Sequence, residues 1–148
     1  MENNYEEKIL SVISLILIMA TMCCNLNVFA ASVTPRWTNC DQYGFTFAIT
    51  DDGVAHVDVD YLGDSNHFES ARMTIKLQKR FLLLFWNTVD IGYSNNEWVE
   101  TSTDLYDTFY NSFPLSSKGT YRAVLTLEIT GKDGSVDVIE SELEYEYE

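Results

Sequence analysis

From Tyr43 onward, large apolar side chains fall on odd-numbered positions and polar ones on even positions over one stretch after another. In YGFTFAITDDGVAHVDVDY, Tyr43, Phe45, Phe47 and Ile49 are answered by Ala55, Val57, Val59 and Tyr61. Period-two alternation marks half-buried strands, because successive side chains leave a pleated ribbon on opposite faces. Paired residues in a hairpin sum to a constant and point the same way. Odd therefore pairs with odd, and the loop between has an odd length. Asp51-Asp52-Gly53 meets that demand, and Gly53 supplies the positive φ that such a loop needs at its last position. Phe47 then faces Val57 and Phe45 faces Val59. His56, Asp58 and Asp60 are left on the wet face.

Two more hairpins follow from the same parity. Ala71, Met73, Ile75 and Leu77 alternate with Arg72, Thr74, Lys76 and Gln78, and Val89, Ile91 and Tyr93 answer them. Pairing Leu77 with Val89 and Ile75 with Ile91 centres the turn on Leu83, with a loop of 82–84 or 81–85. Phe81 and Phe85 are expected to face each other and cap one end of the core. Leu82, Leu83 and Leu84 cannot all do so, so at least two leucines should project. The third hairpin places Tyr121, Ala123, Leu125, Leu127 and Ile129 on one face and turns at Lys132-Asp133-Gly134. Ile139, Leu143 and Tyr145 then return to the core face. Val136 and Val138 do not fit this register unless a bulge intervenes near Val138. Residues 94–115 are the least periodic. SNNEWVETSTD is polar and turn-rich, and in LYDTFYNSFPL Pro114 restricts any strand to a sheet edge.

About seven strands in some 110 residues, with turns every ten or so, predict a single all-β, immunoglobulin-like antiparallel β-sandwich over residues 31–148. PLSSKGTYRAVLTLEITGKDG resembles the penultimate strand of immunoglobulin-like and fibronectin type III-like domains, entered by Gly119-Thr120-Tyr121. That resemblance implies a corner hydrogen bond from the Tyr121 hydroxyl. The chain also resembles uncharacterised small secreted β-sandwich proteins of Gram-positive bacteria, through Leu77-Gln78-Lys79 with Trp86 and through the late Gly-Thr-Tyr-Arg strand. It departs from them at the hairpin tip, which is polar in those relatives, and it lacks the immunoglobulin cysteine pair.

The N-terminal stretch Ile9–Met22 carries no charge in fourteen residues, short of the about 20 that span a bilayer. With Val28-Phe29-Ala30 supplying small residues before a cut, residues 1–30 read as a cleaved secretory signal peptide. The segment before it is not net positive, so an uncleaved anchor is the runner-up. Met22 before Cys23 makes a poor lipidation context. The formal charge of the whole chain is −14. Without Lys8, Glu2, Glu6 and Glu7 it becomes −12, which repels nucleic acid and anionic membranes at long range. Cys40 is the one cysteine left, so the domain forms no internal disulfide, and a buried thiol is expected.

Chemistry is thinly supported. His56 and His67 belong to no known catalytic spacing, and a Cys40–histidine dyad has no accompanying motif. No enzyme activity and no cofactor are expected. Asp58, Asp60 and Asp64 could attract calcium, but alternate aspartates on one strand are the ordinary look of a solvated face. Trp37, Trp86, Trp98, Tyr106 and Tyr110 are candidate stacking platforms for carbohydrate, set against the need of a disulfide-free fold for large core side chains.

The feature these considerations leave unexplained is QKRFLLLFWN, an apolar turn behind two cations. Lys79, Arg80, Phe81, Leu82, Leu83, Leu84, Phe85 and Trp86 form the candidate binding site. Three uses compete. The loop folds back against 94–115, the leucines meet a protein partner or a second copy, or they enter a membrane with Lys79 and Arg80 at the headgroups. The acidic charge favours a protein partner over lipid. A secreted binding protein is the expected function, with a carbohydrate-binding module or a membrane-active protein as alternatives.

Overall fold

The computed structural model describes residues 37–82 and 84–148. The signal-peptide reading of 1–30 and the side chain of Leu83 lie outside these. Among the described residues, eight antiparallel strands form two sheets, β1 (Cys40–Ile49), β2 (Val54–Gly63), β3 (Phe68–Phe81), β4 (Phe85–Thr88), β5 (Glu97–Ser102), β6 (Tyr106–Pro114), β7 (Gly119–Gly131) and β8 (Val136–Tyr147). One sheet runs β1-β2-β6. The other has β3 beside β7 and then β8, with β4 and β5 both pairing the free edge of β3. Counted as one interrupted edge strand, β4 and β5 bring the total to the seven expected of an immunoglobulin-like sandwich.

Parity governs the core. Among the described residues, every buried apolar side chain is odd-numbered except Cys40, Phe68 and Trp98. Each exception has a cause in the ladders. Cys40 and Phe68 each precede a register shift of one residue, between Cys40 and Gln42 and between Phe68 and Ser70. A one-residue slip moves a side chain to the other face. Trp98 follows a larger irregularity. Gln78 pairs with Thr88, but Lys76 pairs with Glu97, so the edge chain detours by an odd number of residues and even positions turn inward. Ile75 consequently sits opposite Trp98 and not Ile91 as expected. Ile91 is buried from within the detour, which turns through positive φ at Gly92, Asn95 and Asn96.

The first hairpin has the predicted register, with Phe47 opposite Val57 and Phe45 opposite Val59. So does the third, with Leu127 opposite Ile139 and Tyr121 opposite Tyr145. No bulge adjusts β8. Val136 and Val138 stay on the outer face and are exposed. Tyr145 lies on the inner face, yet β8 is an edge strand and its ring is only partly covered. In 94–115, the polar part contains β5 and the aromatic part is β6, an edge strand that ends at Pro114 as its proline requires.

Two contacts close the ends of the sandwich. The Tyr121 hydroxyl donates to the Ser117 carbonyl at 2.6 Å, the corner bond implied by the resemblance. At the opposite end Asn39 is fully buried. Its side-chain amide donates to the carbonyls of Ile129 and Ser135, and its backbone NH donates to Asp137 at 2.6 Å. Asn39 thereby ties the chain entering β1 to the β7–β8 hairpin. Gly131 leaves the room, since a Cβ there would collide with the Asn39 side chain.

Candidate functional site

The β3–β4 hairpin outruns its sheet. The β3–β7 ladder ends at the Lys79–Tyr121 pair, whereas β3 and β4 continue through Arg80–Trp86 to Phe81–Phe85. The tip therefore projects with no neighbouring strand beyond β4. Phe81 and Phe85 do face each other, but they do not cap the core, being 52% and 62% exposed. Leu82 is 70% exposed and Leu84 is 82% exposed. Leu82 and Leu84 thus do not fold back against 94–115. Leu82 also holds a φ of 49°, in the left-handed region, and the turn closes through a Leu84 NH to Leu82 carbonyl bond at 2.6 Å. For a residue with a Cβ, that conformation costs about 1–2 kcal/mol.

Both cations have partners within the chain. Lys79 points inward, donates to the Ser117 hydroxyl at 2.5 Å and lies 5.3 Å from the centre of the Tyr121 ring. Arg80 points outward, pairs with Glu144 and lies 4.8 Å from the Trp86 ring. Arg122 reaches the same indole at 4.3 Å, while its Nε donates to Gln78 and its terminal nitrogen pairs with Glu142. Trp86 thus belongs to the stalk beneath the tip, bracketed by two guanidiniums. Each such contact is worth about 0.5–1 kcal/mol at an exposed site. Arg122, Gln78, Glu142 and Glu144 were not singled out from sequence. Their shared even parity with Arg80 and Trp86 is the signal that places them on one face. On the Lys79 side, an open cleft of about 410 Å³ is lined in part by Asn87, Val89, Phe113, Leu115 and Tyr121.

The other candidates separate clearly. Trp98 is a core residue, and Trp37 packs edge-on against Tyr43, 5.2 Å between ring centres. Trp98 therefore offers no open face, and Trp37 is partly buried against the core. Tyr106 and Tyr110 are 62% and 56% exposed. Asp58 and Asp60 lie on the outer face of β2, and Asp64 caps its own turn by accepting from the Asn66 and His67 amides. Those bonds, with His67 beside it, hold the Asp64 carboxyl below the usual carboxylate range. Among the described residues, no group of three or more metal-ligating side chains converges. Cys40 is buried, and burial pushes its thiol up to about 11, so at neutral pH it is not the thiolate that nucleophilic chemistry needs.

No protein-family model matches the chain, and no curated protein matches it in sequence. Among solved structures the chain is similar to one described as an ApaA protein from Bordetella pertussis, with 11% identity and a TM-score of 0.44 over 73% of this chain and 94% of that one.

Proposed function

We propose that this is a secreted, non-enzymatic binding protein that docks its β3–β4 tip into an apolar surface of a protein partner, a second copy being the simplest case. The apolar Ile9–Met22 stretch and the small residues Val28 and Ala30 ahead of the expected cut support secretion. The observation that carries the docking reading is the projection of Phe81, Leu82, Leu84 and Phe85, all more than half exposed, from a hairpin with no covering strand. The left-handed Leu82 adds to it, because sequences break local rules mainly where function asks for it. Full burial of an aliphatic or aromatic side chain contributes about 1.5–3 kcal/mol, so four give roughly 6–12 kcal/mol. Association itself costs about 4–15 kcal/mol. The tip alone supports weak docking, and a partner that also enters the adjoining cleft gains the rest. Lipid is disfavoured because Lys79 and Arg80 are already engaged and the chain is strongly acidic.

The test compares the wild-type chain with Leu82→Ser/Leu84→Ser. Sedimentation velocity reads self-association, capture from secreted and envelope fractions reads another protein partner, and co-flotation with phosphatidylcholine vesicles reads lipid. Self-association or a captured band that the variant loses supports the reading. Vesicle binding lost in the variant, or no tip-dependent association in any arm, refutes it.

A further inference from the structure

The outer face of the β1-β2-β6 sheet carries a second arrangement that the tip does not explain. On β6, Tyr106, Thr108 and Tyr110 point outward in alternate positions, opposite Leu62, Asp60 and Asp58 of β2. The two tyrosines are separated by four residues, about 13 Å along the strand. Both rings are mostly exposed, and each hydroxyl has a side-chain neighbour. The Tyr110 hydroxyl meets His56 Nδ1 at 2.5 Å, with the two rings stacked 5.8 Å apart. The Tyr106 hydroxyl meets Thr108 Oγ1 at 3.3 Å. Asp60 faces Gly44 on β1, and its carboxyl occupies the space where a Cβ at Gly44 would stand. Asp60 takes part in none of the ion pairs among the described residues. Its neighbour Asp58 accepts from the Thr46 hydroxyl at 3.3 Å.

We propose that this face binds an extended, uncharged polysaccharide, with sugar rings lying on Tyr106 and Tyr110 and sugar hydroxyls donating to Asp60 and Asp58. A pyranose ring presents C–H groups on its faces, which suit an aromatic face, and hydroxyl donors at its rim, which suit carboxylate acceptors. Rings fixed by hydrogen bonds and a rigid strand lose little freedom on binding. Two platforms set two strand rows apart select a straight chain over a compact ligand. The carboxylates in the middle disfavour apolar protein surfaces, nucleic acid and polyuronates.

The experiment is sedimentation of the full chain with microcrystalline cellulose, with chitin powder and, as anionic control, with calcium-gelled polygalacturonate. Retention on at least one neutral powder and none on polygalacturonate is expected. Tyr106→Ala/Tyr110→Ala should weaken that retention about tenfold or more. Asp60→Asn, which keeps the side-chain size, should weaken it by a smaller factor and serves if the tyrosine variant does not fold. Leu82→Ser/Leu84→Ser should leave it unchanged, which separates this face from the tip. Absence of retention on both powders, equal retention on polygalacturonate, or wild-type retention by the folded tyrosine variant or by Asp60→Asn overturns the proposal.

Discussion

Two kinds of turn close hairpins of the same odd register in this molecule. In β1–β2 and β7–β8 the turns are Asp51-Asp52-Gly53 and Lys132-Asp133-Gly134. Both put glycine last, at φ values of 80° and 81°, and both donate that glycine NH to the carbonyl three residues back at 2.8 Å. Each is further pinned by a side chain, Thr50 to Asp52 in one and Ser135 to Asp133 in the other. The Ser135 bonds hold the Asp133 carboxyl below the ordinary carboxylate range. In β3–β4 the turn is Leu82-Leu83-Leu84. A positive φ falls on Leu82, at the first position, and the Leu84 NH donates to the Leu82 carbonyl at 2.6 Å. The first two turns serve the fold. The β3–β4 turn keeps the odd length but has leucine where the others have polar residues and a closing glycine, and what it gains is an exposed apolar end.

The comparison breaks if the two kinds respond alike to substitution. The largest effect is expected at Gly53. Gly53→Val puts a β-branched residue at positive φ, with its Cβ 2.6 Å from the Tyr147 hydroxyl, and should destabilise by about 2 kcal/mol or more. Gly134 has nothing near its would-be Cβ, so Gly134→Ala should cost only about 1 kcal/mol for the backbone alone. Denaturant unfolding measures both. Tyr121→Phe removes the corner bond that anchors the base of the projecting hairpin and should cost about 1–1.5 kcal/mol, read by the same method. Leu82→Gly should move the other way, stabilising by about 1 kcal/mol because the strain at that position vanishes. Smaller still is Arg80→Ala. It removes an exposed ion pair and one indole contact, should cost less than about 1 kcal/mol, and should raise the exposure of Trp86 to acrylamide quenching.

A pH scan adds a control on the core side of the same sandwich. The Cys40 thiol has its pKa raised by burial from 9.0 to about 11 in the folded chain. The neutral thiol is the favoured form in the fold, so its contribution is complete below pH 9.0. It declines as pH rises towards about 11, where the unfolded chain already ionises and the folded one does not. Iodoacetamide should label Cys40 slowly at pH 8 in native buffer and fast in denaturant.

Much of the architecture is readable from alternation because most strands bury a single face. Val57 and Val59, or Leu125 and Leu127, announce their side without any knowledge of partners. The Asp-Gly pairs fix two registers outright. What alternation could not deliver are the places where the count slips. Trp98 looks like an exposed platform in a polar segment, and only the odd-length detour after Thr88 turns it inward. Val136 and Val138 look misplaced because apolar residues on an outer edge carry no periodic signal. The tip was legible as an anomaly and parity put at least two of its leucines outside, but the exposure of Phe81 and Phe85 with them was not legible. That depends on β7 ending its ladder at Tyr121 while β4 continues, a tertiary fact that no residue in QKRFLLLFWN encodes. The Arg80–Trp86–Arg122 stalk was missed for the same reason, since it needs three strands in register before its members meet.

The most direct measurement grafts the turn of the β1–β2 hairpin onto the β3–β4 hairpin, as Leu82→Asp/Leu83→Asp/Leu84→Gly, and compares unfolding free energies with the parent. A tip that serves binding and not folding predicts stability equal to the parent or higher, because the exposed Leu82 and Leu84 and one left-handed backbone are replaced by a turn the fold already uses. A loss of more than about 2 kcal/mol, the scale of uncovering a buried leucine, would show that the tip is packed against the domain and would contradict the account.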